Sequence, residues 1–200
     1  MIHVVGMGPG HQDYITPLAK RLISQADVLV GWSRHLSAYH EFHGEKLAIG
    51  SDLTQMALWL QDNADRNIVV LASGEPMLYG IGKRLIQDLP LEKLNIVSGI
   101  SSIQYLFSRI AVDMNDIYIT SCHGKQPDFD FILQHEKVAM VTDHHMGPYQ
   151  IAQQILRRGA KRTLVIGENL SYPDERIHIL PPQQVQQAYA MNVVAILNER

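Results

Sequence analysis

Hydrophobic positions along the chain fall into two alternating patterns. Short runs of consecutive, mostly β-branched apolar residues occur at Ile2–Val5, Val28–Val30, Ile68–Ala72, Ile96–Val97, Val138–Val141, Leu164–Ile166 and Val193–Leu197. Apolar residues at successive rather than alternate positions predict strands covered on both faces, the usual condition of a parallel sheet. Between these runs the apolar residues recur at helical spacing. Thr16-Pro17 offers an N-cap and a proline at the first helical position, with Leu18, Leu22 and Ala26 following on one face. Leu53, Met56, Ala57 and Leu60 trace a second helix, and Ile103, Leu106, Phe107 and Ile110 a third. Pro148 opens another, with Ile151 and Ile155 facing inward and Arg157-Arg158-Gly159 supplying basic charge and a C-cap at its end. Strands alternating with helices predict an α/β fold with a largely parallel sheet. The short polar stretch Ala111-Val112-Asp113-Met114-Asn115-Asp116 is the best break in the pattern. It divides the chain into an N-terminal lobe, residues 1–112, and a C-terminal lobe, residues 113–200.

Composition narrows the class. Hydrophobic residues make up 46% of the 200 positions and charged ones 18%, which excludes a disordered chain. A formal net charge of −3 gives no global positive field for nucleic acid. The single cysteine, Cys122, excludes an intrachain disulfide and a cysteine-based zinc site, and reads as a small buried residue despite its neighbour His123. His40 with His43, and the adjacent His144-His145, lack the convergent Asp, Glu or Cys partners of a metal site, so no metal is expected. No apolar run approaches the ~20 residues of a membrane span. The start, Met1-Ile2-His3-Val4-Val5-Gly6, places no basic segment before an apolar one. A soluble, cytoplasmic protein without membrane or nucleic-acid partners is the expectation.

Gly6-Met7-Gly8-Pro9-Gly10 follows the first strand directly. A glycine-rich turn there lets backbone amides approach a ligand closely. A dinucleotide-binding fingerprint does not fit, because the third glycine would be position 11, which is His11. The helix start signal also waits until Thr16-Pro17, and the second strand runs into Gly31-Trp32 with no acidic residue for a ribose. Three further segments place small or polar residues at strand ends: Leu71–Gly80, Ser98-Gly99-Ile100-Ser101-Ser102 and Gly167–Arg176. For any one of them a helix cap or a simple turn explains the residues equally well. Four in one small protein favour a shared binding cleft at the carboxyl ends of strands.

Together these segments resemble the tetrapyrrole (precorrin) methylases, the class III S-adenosylmethionine methyltransferases. The resemblance lies in a G-x-G-P-G turn (Gly6–Gly10), a G-[DE]-P-x-x-Y-G segment (Gly74–Gly80) and a G-I-S-S segment (Gly99–Ser102). Ser33-Arg34-His35-Leu36, His123-Gly124 and Gly167–Arg176 are similar to the branch that methylates carbon 5 of the macrocycle. The likeness spans nearly the whole chain. It implies a two-lobed class III fold, each lobe a mostly parallel or mixed sheet flanked by helices, assembled as a homodimer with S-adenosylmethionine held between the lobes. It implies cofactor contacts at Pro9, Ser73, Gly74, Glu75, Leu78, Ser101, Ser102, Thr142 and Leu170, and substrate contacts at Gly8, Arg34, His123 and Tyr172. Position 75 is glutamate where many relatives carry aspartate, and position 98 is serine where many carry proline.

The implied activity is methylation of carbon 5 of a (cobalt-)precorrin in cobalamin biosynthesis. A methyl sulfonium is already a strong electrophile and a reduced tetrapyrrole offers electron-rich carbons, so alignment and exclusion of water suffice and no catalytic side chain is named. The substrate's carboxylates make arginines and lysines plausible partners, with Arg34, Arg109, Lys125 and Arg176 as candidates. Carbon-15 methylation with decarboxylation is expected on a separate protein, because only Asn198-Glu199-Arg200 follow the last predicted strand. Two other readings stay open: a methylase of the same fold acting on another precorrin carbon or on ribosomal RNA, and a non-catalytic nucleotide-binding module.

Overall fold

A computed structural model describes residues 1–124 and 126–199. They form two compact units, Met1–Ser101 and Ser102–Arg200. In the first, β1 (Ile2–Gly6), β2 (Val28–Gly31), β3 (Glu45–Ala48), β4 (Ile68–Ala72) and β5 (Leu94–Val97) build one sheet in the order β3-β2-β4-β1-β5. Every neighbouring pair is parallel. The interior strands are buried on both faces, which is why their apolar residues run consecutively. Ile2, Val4, Val28, Val30, Ile68 and Val70 pack on one face, where α3 (Leu53–Asp62) contributes Met56 and Leu60 and α4 (Gly82–Asp88) contributes Leu85. Val5, Leu29, Val69, Leu71 and Val97 pack on the other, against α1 (Pro17–Ser24) and Leu36 of the short α2 (Ser33–Leu36).

Thr16 caps α1 as its sequence predicts, accepting a hydrogen bond from the Ala19 N–H at 3.2 Å, and Pro17 occupies the first turn. The buried face differs from the expected one. Ala19 and Ile23 are buried, whereas Leu18 is 43% exposed, so the helix is rotated about one position relative to the Leu18-Leu22-Ala26 stripe. The consecutive apolar pairs Leu18-Ala19 and Leu22-Ile23 leave that choice open until the helix meets β1 and β2. Strand β3 escapes the apolar pattern because it is a sheet edge with Glu45 and Lys46 exposed.

The second unit holds β6 (Tyr118–Ser121), β7 (Lys137–Val141), β8 (Arg162–Glu168), β9 (Arg176–Leu180) and β10 (Asn192–Asn198), ordered β6-β7-β10-β8-β9. Only β6 and β7 are parallel neighbours; β10 is antiparallel to β7 and β8, and β9 to β8. This sheet is therefore mixed. Its core gathers Val138, Met140, Leu164, Ile166, Val194 and Ile196 with Phe129 and Ile132 of α6 (Phe129–Ile132) and Ile151, Ala152 and Ile155 of α7 (Pro148–Arg157). Gly159, with φ +61°, follows the last turn of α7 as the left-handed residue that its sequence position predicts.

Helix α5 (Ser102–Arg109) belongs to this second unit, so the division falls at 101/102, earlier than the 112/113 expected from the polar stretch. The physical reason is packing. Leu106 approaches Gly167 of β8 so closely that an added Cβ there would lie 3.0 Å from Leu106 Cδ1. The polar stretch is a turn between α5 and β6, with Ala111 and Asp116 both at positive φ. Among the described residues no helix is long and apolar enough to cross a membrane.

Candidate functional site

Parallel pairing brings the carboxyl ends of the first sheet into line: Gly6 faces Ala72, Val5 faces Val97 and Gly31 faces Leu71. The segments after β1, β2, β4 and β5 thus leave from one edge, where open α/β sheets bind ligands. Three glycines let them meet. A Cβ on Gly99 would sit 2.2 Å from the Gly74 carbonyl oxygen and 2.7 Å from Gly6 Cα, so no side chain fits at this crossing. Gly8 and Gly74, both left-handed at φ +69° and +59°, exchange backbone hydrogen bonds of 3.3 and 3.1 Å and extend the β1–β4 contact past the sheet. Pro9 follows directly in this turn.

Glu75 fastens the arrangement. One carboxylate oxygen accepts the Met77 N–H at 3.0 Å and the other the Gly99 N–H at 2.9 Å, tying the post-β4 loop to the post-β5 loop. Leu78 N–H reaches the Glu75 carbonyl at 3.2 Å, and Ser101 is almost fully buried where the chain passes toward α5. Tyr79, in the same loop, holds a left-handed φ of +53° and is about half exposed. At the end of β2, Arg34 Nη2 donates to Ser73 Oγ at 2.7 Å, and His35 Nε2 lies 3.3 Å from the same oxygen. Burial, then the Arg34 charge, push the His35 ring down to about 4, with a partial offset from the Leu71 backbone. The ring's Nδ1 is buried and has no hydrogen-bond partner among the described residues.

In the second unit β6, β7 and β8 end along one edge, where β9 and β10 begin. His123, Thr142, Leu170 and Tyr172 all follow these strand ends. Thr142 Oγ1 donates to the Asn192 carbonyl at 2.8 Å, His123 is exposed, and Leu170 is buried against Gly167. Ser102 begins α5. Asp143 accepts the Met146 and His145 N–H groups at 2.8 and 2.9 Å. The Met146 bond leads in holding its carboxyl below the ordinary range, helped by His145, His123 and His144. The Gly167–Arg176 segment is tied internally. Glu168, nearly buried, accepts from His178 Nε2 and from the Ala190 N–H, each at 2.6 Å. Asn169 and Ser171 adopt positive φ; Asn169 donates to Asp174 at 2.7 Å and the Ser171 N–H to Glu175 at 2.6 Å.

Arg109, a candidate for a substrate carboxylate, is paired with Glu175 at 2.9 Å. Burial alone would raise the Glu175 carboxyl, but hydrogen bonds from Tyr105, Ser171 and Arg109 outweigh it and hold the group low. Arg176 is exposed at the start of β9, and Lys125 lies outside the described residues. Among the described residues no three His, Cys, Asp or Glu side chains converge as metal ligands. Cys122 is buried at the end of β6. The pattern of residues did not single out the Glu168–His178 pair or the contact of His35 with Ser73. Both join residues brought together by strand register, so spacing along the chain carries no signal for them.

The sequence model of the family described as Tetrapyrrole (Corrin/Porphyrin) Methylases matches residues 1–186. The chain belongs to this family. As a tetrapyrrole methylase it is 46% identical, over the full length of both chains, to the cobalt-precorrin-7 C(5)-methyltransferase of Salmonella typhimurium. It is 27% identical to the precorrin-6Y C(5,15)-methyltransferase [decarboxylating] of a Sinorhizobium species, covering 98% of this chain and 47% of that one. The uroporphyrin-III C-methyl transferase of Thermus thermophilus, solved with S-adenyl homocysteine, superposes with a TM-score of 0.79 at 21% identity, covering 98% of this chain and 96% of that one. That likeness is one of fold. Two α/β units, one parallel and one mixed, are the architecture of this tetrapyrrole methylase.

Proposed function

We propose that this tetrapyrrole methylase transfers a methyl group from S-adenosylmethionine to carbon 5 of a (cobalt-)precorrin in cobalamin biosynthesis, working as a homodimer in the cytoplasm. The observation that carries the reading is the full-length identity of 46% to a cobalt-precorrin-7 C(5)-methyltransferase. The donor set at the first unit's edge fits the cofactor chemically. It offers backbone groups and neutral hydroxyls at Gly74, Ser73 and Ser101, while the one nearby carboxylate, Glu75, is already committed to two amides. When bound, the cofactor supplies an activated methyl group on a sulfonium. In this reading Pro9, Ser73, Gly74, Glu75, Leu78, Ser101 and Ser102, with Thr142 and Leu170, hold it. Gly8, Arg34, His123 and Tyr172 serve the macrocycle.

The work of these residues is positional. Rigid backbone at the Gly6–Gly74–Gly99 crossing fixes the loops, so the entropy of aligning two reactants is largely met before they bind. Arg34 complements a carboxylate of the substrate, and no side-chain nucleophile is required. The carbon-15 methylation and decarboxylation named for the Sinorhizobium relative belong to a separate protein in this scheme.

Isothermal titration with S-adenosylhomocysteine, followed by a mass assay of cobalt-precorrin-7 incubated with S-adenosylmethionine, tests the proposal. Saturable binding and addition of one methyl group are expected. Absence of binding, or methylation of ribosomal RNA instead of the corrinoid, contradicts it.

A further inference from the structure

Thr142 stands with the cofactor in that reading, and its hydrogen bonds dictate how it can act there. We infer that the Thr142 hydroxyl is an acceptor-only contact, which selects a hydrogen-bond donor on the cofactor and turns away the carboxylate rim of the macrocycle. The inference rests on the methylase reading above.

Strand register sets the contact. Val141 of β7 pairs with Val193 of β10, so Thr142, just past β7, lies opposite Asn192, which opens β10. Thr142 Oγ1 meets two oxygens of that residue, the backbone carbonyl at 2.8 Å and the side-chain Oδ1 at 2.9 Å. The amide orientation is fixed independently. Asn192 Nδ2 donates to the Ala190 carbonyl at 2.7 Å, and a flipped amide would set two carbonyls against each other. Neither Asn192 oxygen can donate, so the hydroxyl's single hydrogen is committed to this residue. Only lone pairs remain on Oγ1, and among the described residues no donor reaches them. Thr142 and Asn192 are both partly exposed, which leaves that acceptor capacity to a ligand or to solvent.

Hydrogen-bond polarity then separates the two ligands. The rim of the macrocycle carries ionised carboxylates, which only accept. Against Oγ1 a carboxylate would face lone pairs with no hydrogen between them, a contact that costs affinity. The cofactor carries donors of three kinds: the adenine amine, the ribose hydroxyls and the α-ammonium group. A site built to pair a donor also rejects an analogue that lacks it, because the acceptor is then left unmet.

The test measures the S-adenosylhomocysteine Kd by calorimetry and KM for cobalt-precorrin-7 in Thr142→Val and Thr142→Ser, with the unliganded thermal midpoint of each. Three analogues, each lacking one kind of donor, are titrated alongside: S-inosylhomocysteine, a dideoxyribose analogue and a desamino analogue. Loss of one hydrogen bond predicts that Thr142→Val weakens S-adenosylhomocysteine binding about tenfold and leaves KM for cobalt-precorrin-7 within about twofold. Thr142→Ser, which keeps the hydroxyl, restores the Kd. One analogue should bind the wild type about tenfold more weakly, yet bind Thr142→Val with the same affinity as S-adenosylhomocysteine, and so name the donor. A merely structural hydroxyl would weaken all four ligands alike. Such uniform weakening overturns the inference, as does a Thr142→Val variant that raises KM and spares the homocysteine Kd, or one that changes neither. Wild-type protein that fails to bind S-adenosylhomocysteine overturns the underlying methylase reading instead.

Discussion

The two strand-end edges are built by opposite means. In the first unit the edge is shaped by removing side chains: Gly6 and Gly99 meet each other and the Gly74 carbonyl at distances that exclude a Cβ on either, and Gly8 pairs with Gly74 through backbone alone. In the second unit the edge is shaped by adding them, with Glu168 to His178, Thr142 to Asn192, and Arg109 to Glu175. An all-parallel sheet sends every loop off the same side and needs close backbone approach there. A mixed sheet returns strands to that edge, and polar side chains hold the returning segments in place.

If this contrast is right, substitutions in the two units should differ in kind. The largest effect is expected from Gly99→Ala. Its new methyl would meet two backbone segments that cannot move independently, so the substitution should cost about 3 kcal/mol or more and abolish S-adenosylhomocysteine binding. Chemical denaturation with calorimetry checks both. A variant of normal stability would show that the crossing tolerates a side chain.

Next comes Glu168→Ala in the second unit. It strands the His178 ring and the Ala190 N–H, and should destabilise by about 2 kcal/mol. Glu168→Gln, which keeps one acceptor oxygen, should lose less in the same denaturation experiment.

A pH experiment sharpens the first unit further. His35 has its value lowered from 6.5 to about 4 in the folded chain, so as pH falls the unfolded chain takes up the proton first. Stability contributed by the neutral ring is therefore complete above about pH 6.5 and is lost progressively down to about pH 4. The ring is partly exposed, so after solvent screening the loss should be about 1 kcal/mol. His35→Gln should flatten that portion of the stability profile. The smallest effect belongs to Arg109→Ala: its partly exposed pair with Glu175 should contribute less than about 1 kcal/mol, and the loss should shrink in high salt.

How much of this was legible beforehand follows the same division. Consecutive apolar runs marked the buried strands of the parallel sheet because burial on both faces leaves no alternation to obscure them. The edge strands β3 and β6 carry Glu45 and Lys46, or Thr120 and Ser121, and gave no such signal. Glycine positions in the first edge could be read from spacing, since the backbone there leaves room for no other residue. A polar turn such as 111–116 marks where a helix ends, not which sheet the helix packs on, so the chain's pattern carries no signal for placing α5 with the second unit. Partners such as His35 with Ser73, or Glu168 with His178, depend on strand register, which a single chain's pattern does not encode.

The most direct test of the central claim follows the methyl group itself. Cobalt-precorrin-7 incubated with the protein and S-adenosylmethionine bearing an isotopically labelled methyl should give a singly methylated product whose label resonates at carbon 5. A label on any other ring carbon, or none on the macrocycle, would contradict the account.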